Sequence, residues 1–171
     1  APVTLFAESG VRIGLGTDWT PSGSVHMLRE LACAEELNTT YFGGYFSTRQ
    51  LWEMATHANA ASLNLDTIVG ALRPGLVADV AVFARTEDDP YASVIRATQG
   101  TVSLVLRGGE ALYGDTDLMN GLLTATDGCE AIPGGVCDVD KTVCVQRDTG
   151  RSFAALEADN TANYDLVFCG V

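Results

Sequence analysis

Apolar residues alternate with polar or small ones from Val11 through Ile13 to Leu15. This period of two predicts a short buried strand ending near Gly16. The residues before it, Pro2 to Ser9, read as the end of a helix, with Gly10 as its C-terminal stop. Thr20-Pro21-Ser22-Gly23 is a loop by composition. Beyond it Met27, Leu28, Leu31, Ala32 and Ala34 recur near the helical period, which predicts a helix over about 25–37 that Ser24 can cap. A Gly- and Tyr-rich connection follows. Ser47 with Gln50 then forms a capping box, opening a helix over about 48–58 whose buried side carries Leu51, Trp52, Met54, Ala55 and Ala58. A further helical turn is expected from Asn59 to Leu63.

From Gly70 the period shifts towards two. Pro74-Gly75 marks a turn, and Asp79 to Phe83 reads as a strand. Asp89-Pro90 opens a short helix running to about Ala97, because proline suits a first helical turn. Val102 to Leu106 and Ala111 to Tyr113 flank Arg107-Gly108-Gly109-Glu110, which predicts a β-hairpin. After Gly114 the chain is acidic and irregular, with strand-like patterns only at 142–146 and 164–169.

Composition narrows the classes of partner. With 47% hydrophobic and 19% charged residues, the 171-residue chain is globular. The formal net charge is −12, and Lys141 is its single lysine, so neither nucleic acid nor an anionic membrane surface is an expected partner. No apolar run reaches the length of a membrane span. Cys33 lies within an apolar helical pattern and is expected to be a buried free thiol. Cys129, Cys137, Cys144 and Cys169 fall in the last quarter, an even number that suggests two disulfides in any of three connectivities. Zinc is the rival for these four, but there is no C-x-x-C and no nearby histidine. Disulfides point toward an exported or periplasmic protein rather than a cytoplasmic one.

The candidate chemistry sits at the end of the first strand, which delivers Thr17, Asp18 and Trp19. In α/β proteins the C-terminal ends of strands are where reactive groups collect. An aspartate there can bind a metal, take a proton or cap the next loop. Trp19 and Ser22 are candidates to line a substrate pocket, with a packed loop as the alternative. His26 is a candidate substrate contact, with a capping or solvent-facing role as the plainer reading. His57 and Asn59 read as structural, and Asp79 as a residue pinning the Pro-Gly turn before it.

Three stretches taken together resemble the C-terminal part of an amidohydrolase-superfamily enzyme. They are Gly10 to Asp18, Leu51 to Ala61 (LWEMATHANAA), and Val69 to Phe83 (VGALRPGLVADVAVF). The resemblance covers residues 1 to about 114. It implies an α/β fold: the last units of a (β/α)₈ TIM-type barrel over 1–67, part of a small β-sandwich composite domain over 68–114, and a cysteine-bearing extension over 115–171. It implies hydrolysis of a C–N bond in a small, cyclic or related substrate by water activated on a divalent metal, zinc above others. Asp18 would be the catalytic and metal-contacting carboxylate. Such a barrel takes about 250 residues, and the family's His-x-His pair is absent, the only histidines being His26 and His57. The expectation is therefore a fragment, inactive alone, that associates with a missing N-terminal part or with another copy. A non-catalytic binding module and a degenerate scaffold are the two rival readings.

Overall fold

The computed structural model describes residues 2–18, 23–124, 127–163, 166–167 and 169. They form helices and one antiparallel sheet, an α/β chain in two compact units. One unit is Ala1–Val77 with Arg85–Arg96, and the other is Ala78–Ala84 with Ala97–Gly170.

The first unit is helical. Helix α1 (Val3–Glu8) ends where Val11 N–H reaches back to the Phe6 carbonyl at 3.0 Å, with Gly10 at φ +75° making the reversal. Residues 11–18 follow. Ile13 and Leu15 turn towards the core while Arg12, Gly14 and Gly16 stay exposed, but Val11, expected to be buried with them, is exposed. The expected strand is nevertheless not formed: the segment pairs with no other strand among the described residues. Its backbone is held by helix ends instead, because the period of two fixes which side chains face inward but cannot supply a neighbouring strand.

Helix α2 spans Met27–Thr40, two to three residues later than its pattern suggested, since His26 rather than Ser24 is the residue that caps it. Buried Asn38 pins the following loop, its amide nitrogen donating to the Phe46 carbonyl (2.8 Å) and its oxygen accepting from Phe46 N–H (2.9 Å). Helix α3 (Thr48–Ala55) opens with the Ser47/Gln50 capping box. The helix expected to continue to 58 breaks at Thr56 (φ −127°, ψ −104°), and α4 covers His57–Ser62. Helix α5 (Pro90–Ile95) carries proline in its first turn, and Asp89 caps it while also accepting from Thr48 Oγ1 at 2.6 Å. Leu31, Phe46, Leu51, Met54 and Ile95 form the core that α2, α3 and α5 share. Cys33 lies on the exposed side of α2, a correction to its expected burial: its apolar neighbours at 31 and 34 face the core, and position 33 is rotated away.

The second unit is built on a sheet of order β1-β2-β3-β5-β4. Strands β2 (Val102–Arg107) and β3 (Glu110–Asp115) form the hairpin that the sequence suggested, and β1 (Val80–Phe83) pairs antiparallel with β2. Gly108 and Gly109 adopt φ +60° and +87°, as a tight hairpin turn requires. Asp79 pins this turn, not the Pro-Gly turn before it: its Oδ1 accepts from Gly108 N–H at 2.8 Å across 29 residues of sequence. Strand β5 (Lys141–Val143) extends the sheet from β3, and β4 (Glu130–Ala131) lies outside it.

The acidic C-terminal segment is more regular than its composition suggested. Helices α6 (Thr116–Leu122), α7 (Val145–Thr149) and α8 (Phe153–Asn160) lie in it, each too short to show an apolar stripe. Ile132, Val136, Val143 and Phe153 form its core. The strand expected at 142–146 stops at Val143. The one expected at 164–169 falls partly outside the described residues. Cys129 pairs with Cys144 and Cys137 with Cys169, leaving Cys33 free. Thiol titration of the unreduced, denatured chain should therefore find one reactive thiol; five would refute both pairings.

Candidate active-site segment around Asp18

Asp18 stands at the end of an extended segment that three hydrogen bonds tie to the α3–α4 break. Helix geometry would give the Met54 carbonyl to the amide of residue 58. The break at Thr56 interrupts that ladder, and Leu15 N–H takes the Met54 carbonyl at 2.9 Å. Asn59 Nδ2 donates to the Leu15 carbonyl at 2.6 Å, so both backbone groups of Leu15 are satisfied by residues flanking the break. Arg12 Nη1 donates to the Ala61 carbonyl at 2.9 Å. A Cβ on Gly14 would lie 1.9 Å from Asn59 Oδ1, so any larger residue there would have to displace the Asn59 side chain.

Asp18 itself is exposed and adopts φ +57°, a left-handed conformation that Asp and Asn tolerate better than most residues. The loop beyond it closes through Ser24 N–H to the Thr17 carbonyl at 3.0 Å. Gly23 permits that closure, because a Cβ there would sit 1.9 Å from the same oxygen. Buried Ser24 donates from Oγ to Glu30 Oε2 at 2.7 Å, fixing the far end of the loop to α2. Asp18 thus follows a segment braced at Leu15, and Ser24 ties Thr17 beside it to α2.

The other sequence candidates divide. Trp19 and Ser22 lie outside the described residues. His26 is half-buried, and its Nδ1 accepts from Arg29 N–H at 3.2 Å, which makes it the N-cap of α2. A capping Nδ1 must carry a lone pair, so the cap requires neutral imidazole. Burial, with the Arg29 charge adding to it, holds the His26 pKa below its usual 6.5. The unfolded chain therefore binds the proton first as pH falls. The contribution of the cap is fully present above pH 6.5 and is lost as pH drops through 6.5 towards the folded value. Melting curves between about pH 5 and 8 should show this slope, and His26→Asn, which caps without titrating, should flatten it. An unchanged slope would remove His26 from that role.

His57 is exposed at the start of α4. Asn59, read from sequence as structural, holds the segment that leads to Asp18 through its bond to the Leu15 carbonyl, a contact the sequence reading missed. The nearest signal was its polarity within the apolar run Ala58 to Ala61. A groove lined by Pro2, Thr4, Glu8, Tyr41, Phe42 and Tyr45 does not include Asp18. A catalytic zinc usually takes three protein ligands. Among the described residues no group of three or more His, Cys, Asp or Glu side chains is placed to hold a metal ion, so these residues by themselves do not fit one.

These features describe an α/β chain whose candidate reactive group is an exposed, braced carboxylate. The model of the Amidohydrolase family matches residues 2–112, more than half of the chain, and the chain belongs to that family. A 5-methylthioadenosine/S-adenosylhomocysteine deaminase of Pelotomaculum thermopropionicum is 31% identical over 130 residues, which are 70% of this chain and 30% of that protein. Among solved structures, Escherichia coli guanine deaminase superposes with a TM-score of 0.56 at 22% identity, over 66% of this chain and 30% of its own, a likeness of fold. A triazine hydrolase variant gives a TM-score of 0.52 at 27% identity, over 66% of this chain and 27% of its own. The chain spans less than a third of the length of the curated relatives it matches.

Proposed function

We propose that this chain is the C-terminal part of a hydrolase acting on a C–N bond of a small substrate, an amino-substituted ring whose nitrogen leaves as ammonia. In this reading Asp18 is the proton-handling carboxylate. The observation that carries it is the placement of Asp18, exposed at φ +57° on a segment fixed at Leu15 and closed at Ser24. Family membership and the deaminase among its relatives support the bond class. A water oxygen bonds to the carbon bearing nitrogen while Asp18 accepts the water's proton. The tetrahedral adduct then collapses, the C–N bond breaks, and Asp18 returns the proton to the departing nitrogen. Asp18 supplies at most one ligand to a divalent ion such as zinc. The other ligands would come from polypeptide outside this chain, and the ion, when bound, would make the attacking water more acidic.

Exposed apolar side chains on the first unit, Leu5, Val11, Leu63 and Leu72, support a partner in the form of further polypeptide of the same enzyme or a second copy. The two disulfides support an exported location.

The test is ammonia release from 5-methylthioadenosine, from guanine and from an amino-triazine by the complete protein. Turnover on any of them that disappears in Asp18→Asn supports the reading. Turnover on none, or turnover indifferent to Asp18, returns the chain to the reading of a non-catalytic module.

A further inference from the structure

Among the described residues the segment that ends in Asp18 pairs with no strand, and the contacts that hold it come from α3 and α4. Leu15, three residues upstream, has both backbone groups bonded to the α3–α4 break, one to the Met54 carbonyl (2.9 Å) and one to Asn59 Nδ2 (2.6 Å). The first bond exists because Thr56 interrupts the helix. The second comes from a side chain and is removable by mutation. Asn59 also touches the segment sterically, since its Oδ1 occupies the space a Cβ on Gly14 would need.

We propose that Asn59 is a positioning residue for Asp18, acting together with Gly14. Asn59 grips the segment from two sides, by donation to the Leu15 carbonyl and by contact along Gly14. It does not touch the reacting atoms. Its work is to stop the segment sliding or rotating against α4, which would carry Asp18 away from the water it must deprotonate. A misplacement of about 1 Å can cost 10²-fold in rate. This inference rests on the proposed role of Asp18.

The experiment uses the complete protein and ammonia release from whichever of the three probes it turns over. Asn59→Asp keeps the size of the side chain and removes the donor, so packing is retained while the Leu15 carbonyl faces a carboxylate oxygen. The expected result is a kcat lowered about 10- to 100-fold with KM changed less than about threefold. Amide hydrogen exchange in residues 11–18 should speed up in the same variant. Gly14→Ala should lower kcat similarly, because its new methyl collides with Asn59. Gly14→Ala combined with Asn59→Ala should be no worse than either single change, since both act on one contact. Asn59→Asp with wild-type kcat overturns the proposal, as do strictly multiplicative losses in the double variant. Should Asn59→Ala not fold, Asn59→Asp and the exchange measurement decide alone. Asp18→Asn run in parallel separates the two layers. Loss of turnover there with full kcat in Asn59→Asp removes only Asn59, whereas full turnover in Asp18→Asn removes the role of Asp18 and this inference with it.

Discussion

Replacing Asp18 with asparagine in the complete enzyme should lower kcat/KM by about 10²–10⁴-fold, the usual contribution of a positioned proton-transfer group. The substitution isolates chemistry from shape. Asn and Asp are nearly isosteric, and both tolerate the left-handed backbone at φ +57°. The braces at Leu15 and Ser24 use other residues, so the loop should keep its course. What disappears is the negative charge and the ability to accept a proton. Asp18→Glu is the complementary probe: it retains the charge but lengthens the side chain and is less at ease at positive φ, so it too should lose rate. Steady-state kinetics of both variants, with melting temperatures to show that folding is intact, make the measurement. Asp18→Asn with near-normal turnover would overturn the assignment.

The largest expected effect on stability lies in the second unit, at the single lysine. Lys141 is 1% exposed. Its ammonium donates to the Val102 carbonyl at 2.8 Å and to the Asp115 carboxylate, and it lies 5.6 Å from the centroid of the Tyr113 ring. Burial, reinforced by the charge of Asp115, pushes the Tyr113 phenol up to about 12, so it stays neutral beside the pair. Strands β2, β3 and β5 all contribute to this cluster. Removing one partner of a buried pair strands the other charge, at a cost of about 3–5 kcal/mol. Asp115→Ala should therefore destabilise the sheet by an amount in that range. Lys141→Met should cost less. It takes the buried charge away and fills the space, and the carboxylate it leaves behind is 32% exposed and can hydrate. Urea unfolding, read by hydrogen exchange at the amides of β2, β3 and β5, should rank the two variants in that order. The reverse ranking would show that Asp115, not Lys141, carries the desolvation cost.

Local chemistry made much of this chain readable in advance. The Ser47/Gln50 capping box, Pro90 in a first helical turn, and the paired glycines at 108–109 each act within a few residues. Their elements began where expected. The alternation likewise placed Ile13 and Leu15 inward, though Val11 at its start is exposed. The residues carrying the family resemblance, among them Asp18 and the run to Phe83, were also visible, and the family match covers them. Sequence by itself thus determined the helical and two-residue periods, the Ser47/Gln50 cap, the hairpin turn, the even set of C-terminal cysteines, and the family.

The tertiary structure decided everything that depends on a partner distant along the chain. Which cysteines pair is set by how β5 and its flanking loops fold back, not by the spacing of the four residues. Asp79 holds a turn 29 residues away because β1 and the hairpin share a sheet. Lys141 is buried because Asp115 and the Val102 carbonyl converge on it from two other strands. Asn59 became more than a helix residue only when the break at Thr56 turned α4 so that its side chain met Leu15, 44 residues earlier. A hydrogen bond needs its partner within about 3 Å, and only the folded chain brings these groups that close.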